Sequence, residues 1–250
     1  MTRHYRNLLA ALLLTLSAQA QEAKPAAAAL TVRSYLHDPT HPAAELYLRD
    51  TTGEVVKLSL AAMDLGKKQQ TVPVNGSLVL FNTATVDPKN PGPTVAASVA
   101  VPQNLQRVIV IIVPAPANAT PAYRMVLIDD SLAAFPPGES RILSLVPLET
   151  AMHAGEHKLP CKPGAITSAP PVTKRDPYNM AQTDFYYKKD GSWIAFSECR
   201  MKYLAVFRQI FIVHGRPGGT APELTTLIDQ IQRPAPVKQD VRHPLPVPHG

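Results

Sequence analysis

A chain of 250 residues with 26 prolines has room for one large β-sandwich or two modest domains, but its proline spacing excludes long helices. Its net charge of +6 falls to +4 without Arg3 and Arg6, and the basic side chains are scattered. That pattern gives no support to a nucleic-acid or anionic-membrane surface.

Residues 1–20 predict a secretory signal peptide. Arg3 and Arg6 give a positive start, Leu8 to Leu16 is an apolar run, and Ala18-Gln-Ala20 is a small-x-small cleavage site. The apolar run falls short of the roughly 20 residues a membrane span needs. No Cys follows it, which argues against a lipid anchor. The mature chain, residues 21–250, is therefore expected to be secreted, periplasmic or extracellular, with no transmembrane segment after cleavage.

After a leader at 21–29, Leu30 to His37 predicts the first strand. Glu45 to Arg49 and Glu54 to Leu60 predict a hairpin closed by Asp50-Thr-Thr-Gly53. Asn75-Gly76, between Thr71–Val74 and Ser77–Phe81, suits a type I′ turn. Val95 to Val101 is a further strand. Arg107 to Val113 is β-branched with no polar face, so it should be a central strand covered on both sides.

Pro114 to Pro121 reads as a long loop or an interdomain linker. Tyr123 to Ile128 is apolar on both faces and should also be central. Pro137-Gly138 fits the middle of a type II turn, where glycine takes a positive φ. Met152 to Leu159 and Ala165 to Ser168 are weaker runs. Asp184 to Lys189, Asp190-Gly191 and Ser192 to Cys199 form a second type I′ hairpin. Tyr203 to His214 is a long strand. Residues 222–232 fit either an edge strand or a helical face, with strand favoured. Residues 233–250 are proline-rich and are expected to form a disordered tail.

About thirteen short β-runs with Gly/Pro turns indicate a sandwich or barrel. The expected fold is all-β, as two tandem immunoglobulin-like β-sandwiches at 29–115 and 121–232, with one larger sandwich as the alternative. No internal repeat is visible by eye. In an oxidising compartment Cys161 and Cys199 are expected to form a disulfide, with two buried thiols as the alternative.

Phe135-Pro-Pro-Gly-Glu-Ser-Arg141, following Asp129-Asp130, resembles a motif of uncharacterised exported bacterial β-sandwich proteins. Their pattern is Phe-Pro-x-Gly-x-x-Arg, two apolar residues, then Asn-Leu-Ser. Here Ser144 stands where Asn is usual and Val146 where Ser is usual. The resemblance spans residues 45–145 and implies an exported β-sandwich without implying an activity.

Asp129, Asp130, Pro137, Gly138 and Arg141 read best as a structural turn network. Catalysis by Asp129 and Asp130 with Glu139 is disfavoured because adjacent acids point to opposite strand faces. Calcium is an alternative for these carboxylates, but the regular Asp spacing is missing. His153, His157 and Cys161 would chelate a metal on a helix; on a strand the two histidines lie about 13 Å apart. His37 and His41 are expected in a solvated loop. Tyr186, Tyr187 and Trp193 offer a candidate aromatic platform for a partner or a sugar.

No Gly-x-Ser-x-Gly, His-Glu-x-x-His, phosphate-loop or dinucleotide motif occurs, and neither a metal nor a cofactor is expected. The sequence favours a non-enzymatic binding or assembly module of the cell envelope, with another envelope protein or a polysaccharide as partner. A carbohydrate-active or other secreted hydrolase is the alternative, marked by two converging carboxylates or an aromatic platform.

Overall fold

The computed structural model describes residues 28–37, 45–116, 118–216 and 218–231. The expected signal peptide, His41 and the tail at 233–250 lie outside them. Among the described residues the first half of the chain forms β1 (Leu30–Leu36), β2 (Tyr47–Arg49), β3 (Val55–Lys57), β4 (Gln69–Thr71), β5 (Ser77–Phe81), β6 (Val95–Ala100), β7 (Arg107–Pro114) and β8 (Tyr123–Asp129). The second half forms β9 (Ser140–Ser144), β10 (Thr150–Ala154), β11 (His157–Cys161), β12 (Ile166–Ala169), β13 (Met180–Lys189), β14 (Ser192–Lys202), β15 (Phe207–Gly215) and β16 (Pro222–Gln230). The ambiguous segment is thus a strand over Pro222–Gln230. The described residues contain no helix long and apolar enough to cross a membrane.

Strand order reveals a repetition that the sequence hides. The first half makes sheets β4-β1-β7-β8 and β3-β2-β5-β6, and the second makes β12-β9-β15-β16 and β11-β10-β13-β14. Adding eight to each strand number converts one pair of sheets into the other. In both halves the first strand runs parallel to the seventh, as β1–β7 and β9–β15. Constant-type immunoglobulin domains place seven strands as ABED over CFG. The likeness to them is therefore one of sandwich architecture and not of strand order.

Three apolar layers hold the four sheets together. Leu30, Val32, Leu48, Leu80, Val108 and Val110 fill the space between the first pair. Met152, Phe185, Phe211 and Val213 do so in the second. Tyr35, Ile109, Ile111, Ile210, Ile212 and Leu227 form a third layer, where the outer face of β1-β7-β8 meets that of β9-β15-β16. This shared layer explains the run from Arg107 to Val113. Alternate residues of β7 enter two different cores, so both faces must be apolar. Each fully buried Ile or Val contributes about 1.5–3 kcal/mol.

Turn chemistry follows the sequence closely. Asn75-Gly76 and Asp190-Gly191 all have positive φ (50° and 76°, 51° and 81°), as type I′ turns require. At Pro136–Glu139 the Glu139 amide donates to the Pro136 carbonyl at 3.3 Å, and Gly138 has φ +92°. That is the expected type II turn.

Two expectations about position change. β8 is an edge strand, not a central one: it pairs with β7 alone, and its two apolar faces serve the first-half core and the shared layer. Because β7 and β8 form one hairpin, Pro114 to Pro121 is its loop and not an interdomain linker. The chain crosses between halves at 130–139 instead.

The expected disulfide is also corrected. Both cysteines are free. Cys161 lies on β11 and Cys199 on β14, the opposite edges of the β11-β10-β13-β14 sheet. Three strand spacings, about 14 Å, and an offset in register separate them, at least twice the reach of a disulfide between Cα atoms. Burial raises the pKa of both thiols, which weakens them as nucleophiles. Denaturation without reductant should expose two thiols to a titrating reagent; none would restore the disulfide. Gly138→Val should lower unfolding free energy by about 1–3 kcal/mol through backbone strain. Space is not limiting, since an added Cβ would meet only Pro171 at 3.6 Å. Unchanged urea denaturation would contradict the turn assignment.

Candidate functional site

The shared layer ends in charge. Side chains alternate along a strand, so Arg33 shares the outward face of β1 with Tyr35, and Arg208 shares that of β15 with Ile210 and Ile212. Asp229 lies directly across from Arg208 in the β15–β16 ladder. Asp130 follows β8, its amide donating to the Arg107 carbonyl at 3.0 Å.

These four side chains form a closed lattice. Arg33 donates from Nε and Nη2 to Asp130 at 3.1 and 2.7 Å, and from Nη1 and Nη2 to Asp229 at 2.7 and 2.8 Å. Arg208 donates from Nε to Asp229 at 2.9 Å, from Nη2 to Asp130 at 2.5 Å and again to Asp229, and from Nη1 to the Phe135 carbonyl at 3.0 Å. Each half supplies one arginine and one aspartate. The side chains of Arg208 and Asp130 are 1% and 0% exposed, so neither charge is tolerable without the other. Burial pushes the Asp229 carboxyl up, but hydrogen bonds and charge from Arg33 and Arg208 outweigh it and hold it below the usual carboxylate range. Burial opposes the charge on Arg33, and bonds to Asp229 and Asp130 raise its pKa in turn.

The Phe-Pro-x-Gly-x-x-Arg segment packs against this lattice. Phe135 is fully buried, with the Arg141 and Arg208 guanidiniums 4.4 and 4.6 Å from its ring centre. Arg141 also donates to the Ala134 carbonyl and pairs with Glu139 at 2.9 Å. Pro137, Gly138 and Arg141 therefore sit in one turn assembly. Asp129 bonds the Ser131 amide at 2.8 Å and stays outside the lattice. Asp130 departs from the expected turn role, because its oxygens are taken by guanidiniums and not by turn amides.

Above the lattice lies an open cleft of about 440 Å³, with Arg33, Arg208 and Asp229 on its inner side and Lys68, Arg107, Leu132, Gln230 and Ile231 around it. Arg107 reaches Asp130 only at 3.8 Å and its side chain is 40% exposed. Sequence reading missed Arg33, Arg208 and Asp229. The available signal was an Arg heading each Ile-rich strand and an Asp closing its partner, as Arg107 with Asp130 and Arg208 with Asp229.

The other candidates separate. Tyr187 is buried, near Phe196 at 6.2 Å, while Tyr186 meets His153 in a tilted ring contact at 4.7 Å on the opposite face. Trp193 is half exposed, across from Lys188. Strand alternation thus divides the aromatic set between two faces. His153 pairs with Lys158 and not with His157 across the β10–β11 hairpin. No three His, Cys, Asp or Glu side chains gather to hold a metal among the described residues. His37 is not solvated: it is buried against His214 at 4.2 Å, at the far end of the shared layer from the lattice. No protein-family model and no curated protein matches this chain.

Asp229→Asn should cost about 3–5 kcal/mol at neutral pH, because it leaves two buried guanidiniums short of a counter-ion. The lowered carboxyl gives a sign for acid. Its contribution is complete above the unfolded carboxylate pKa, about 4, and fades as pH falls through the lower folded value. Denaturant titrations of the wild type should therefore lose stability below about pH 4, with a shallower loss in Asp229→Asn. Equal slopes would contradict the lattice.

Proposed function

We propose that this chain is a non-enzymatic, exported β-sandwich protein, built of two tandem sandwiches, that acts as a binding or assembly module in the cell envelope. Its partner is another envelope protein or a polysaccharide, met in the periplasm or outside the cell. The chemistry of the cleft carries this reading. Proton transfer near neutral pH needs a group that titrates there. The cleft offers arginines, a lysine, an amide and an aspartate held ionised by two guanidiniums. Such a lining recognises charge and does not move protons.

The hydrolase alternative has one specific observation in its favour, the convergence of Asp130 and Asp229. Glycoside hydrolysis requires one carboxyl kept protonated and another able to reach the substrate or a water. Here each carboxylate is bonded by both Arg33 and Arg208. That arrangement occupies the oxygens which catalysis would use.

Export is checked by osmotic-shock fractionation and intact mass of the tagged chain. A product beginning at Gln21 in the envelope or medium is expected; residues 1–20 retained on a cytoplasmic product would contradict it. Turnover of a glycoside or ester panel, abolished by Asp229→Asn in a folded variant, would replace the binding reading with the hydrolase.

A further inference from the structure

We infer that the cleft between the two halves binds a small oxyanion-bearing ligand, with Arg107 and Lys68 holding its carboxylate or phosphate group. This deepens the reading of the protein as a binding module, and its test does not depend on where the protein resides.

Arg33 and Arg208 are neutralised by Asp130 and Asp229, and each already donates four hydrogen bonds. With Lys68 and Arg107 the cleft therefore has four cations against two carboxylates, and Arg107 is held to Asp130 only by a loose ion pair at 3.8 Å. Among the described residues Arg107 has one ion-pair partner, Asp130 Oδ2 at 3.8 Å, beyond hydrogen-bond range. That oxygen already accepts from Arg33. Lys68 is exposed. Neither cation hydrogen-bonds another described residue.

Comparison of the two halves shows why Arg107 is spare. Arg208 occupies the same place on β15 and meets Asp229 directly. Asp130, the counterpart of Asp229, is drawn instead onto Arg33 and Arg208 across the seam. Arg107 keeps the position but holds its partner only at 3.8 Å, without a side-chain hydrogen bond. An oxyanion bridging Arg107 and Lys68 would restore the balance with charge-assisted hydrogen bonds. The largely buried walls of Arg33, Arg208 and Asp229 limit screening on that side. Half-exposed Leu132 and partly buried Ile231 add apolar contact for a ligand's carbon body, and Gln230 adds an amide. The volume, about 440 Å³, suits a small molecule.

The test is calorimetric titration of the mature chain at low ionic strength, where exposed charges are least screened. Inorganic phosphate and succinate serve as separate probes. At least one should bind saturably, and the one preferred identifies the ligand group. Arg107→Gln combined with Lys68→Gln should weaken that binding by about tenfold or more without lowering the melting temperature. Lys162→Gln, at an exposed lysine outside the cleft, should leave it unchanged. Failure of both probes to saturate, equal binding by the double variant, or an equal loss in Lys162→Gln would overturn the proposal.

Discussion

Arg33 and Arg208 cannot be buried unless Asp130 and Asp229 are buried with them. Taking an ion out of water costs several kcal/mol, and only close, multiply hydrogen-bonded partners offset it. The four side chains come from β1, the end of β8, β15 and β16, so the condition is met only when these strands from both halves of the chain are assembled. The Ile-rich layer beside them supplies the driving force, since it removes apolar surface on β7 and β15 from water. It is not directional. The charge lattice is, and it fixes where one half meets the other.

The repeated topology gives the lattice its composition. Register makes Arg33 equivalent to Arg141, since they pair with Ile109 and Ile210 respectively. Arg107 and Arg208 head the seventh strand of each half, and Asp130 and Asp229 face them on the eighth. Two sets of Arg, Arg and Asp thus approach each other, and they divide unequally. Arg33, Asp130, Arg208 and Asp229 close on one another. Arg141 turns to Phe135 and Glu139, and Arg107 is left towards solvent. A nearly symmetric scaffold thereby produces one asymmetric, positively charged cleft.

Local rules carried most of the fold. Asn75-Gly76, Asp190-Gly191 and Pro137-Gly138 announce their turns because φ preferences belong to the residues themselves. The unbroken run from Arg107 to Val113 announces a strand buried on both faces. What the sequence could not show is which faces meet. An apolar edge strand and an apolar central strand look alike, so β8 is misplaced by pattern alone. The disulfide expectation follows from compartment, while sheet order puts the two cysteines on opposite edge strands, more than about 14 Å apart. The site was least legible, because Arg33 and Asp229 are separated by 196 residues. Only register brings them together. Tyr186 and Tyr187 illustrate the converse, since neighbours in sequence face opposite sides of one sheet.

The central claim is that the lattice couples the two halves energetically. A double-mutant cycle with Arg33→Met and Asp229→Asn, read by urea denaturation, tests it most directly, because the pair joins β1 of one half to β16 of the other. The account predicts a coupling energy of about 1.5 kcal/mol or more, as expected for buried charged groups in contact. Additive effects, with coupling indistinguishable from zero, would show that the halves are held by the apolar layer alone.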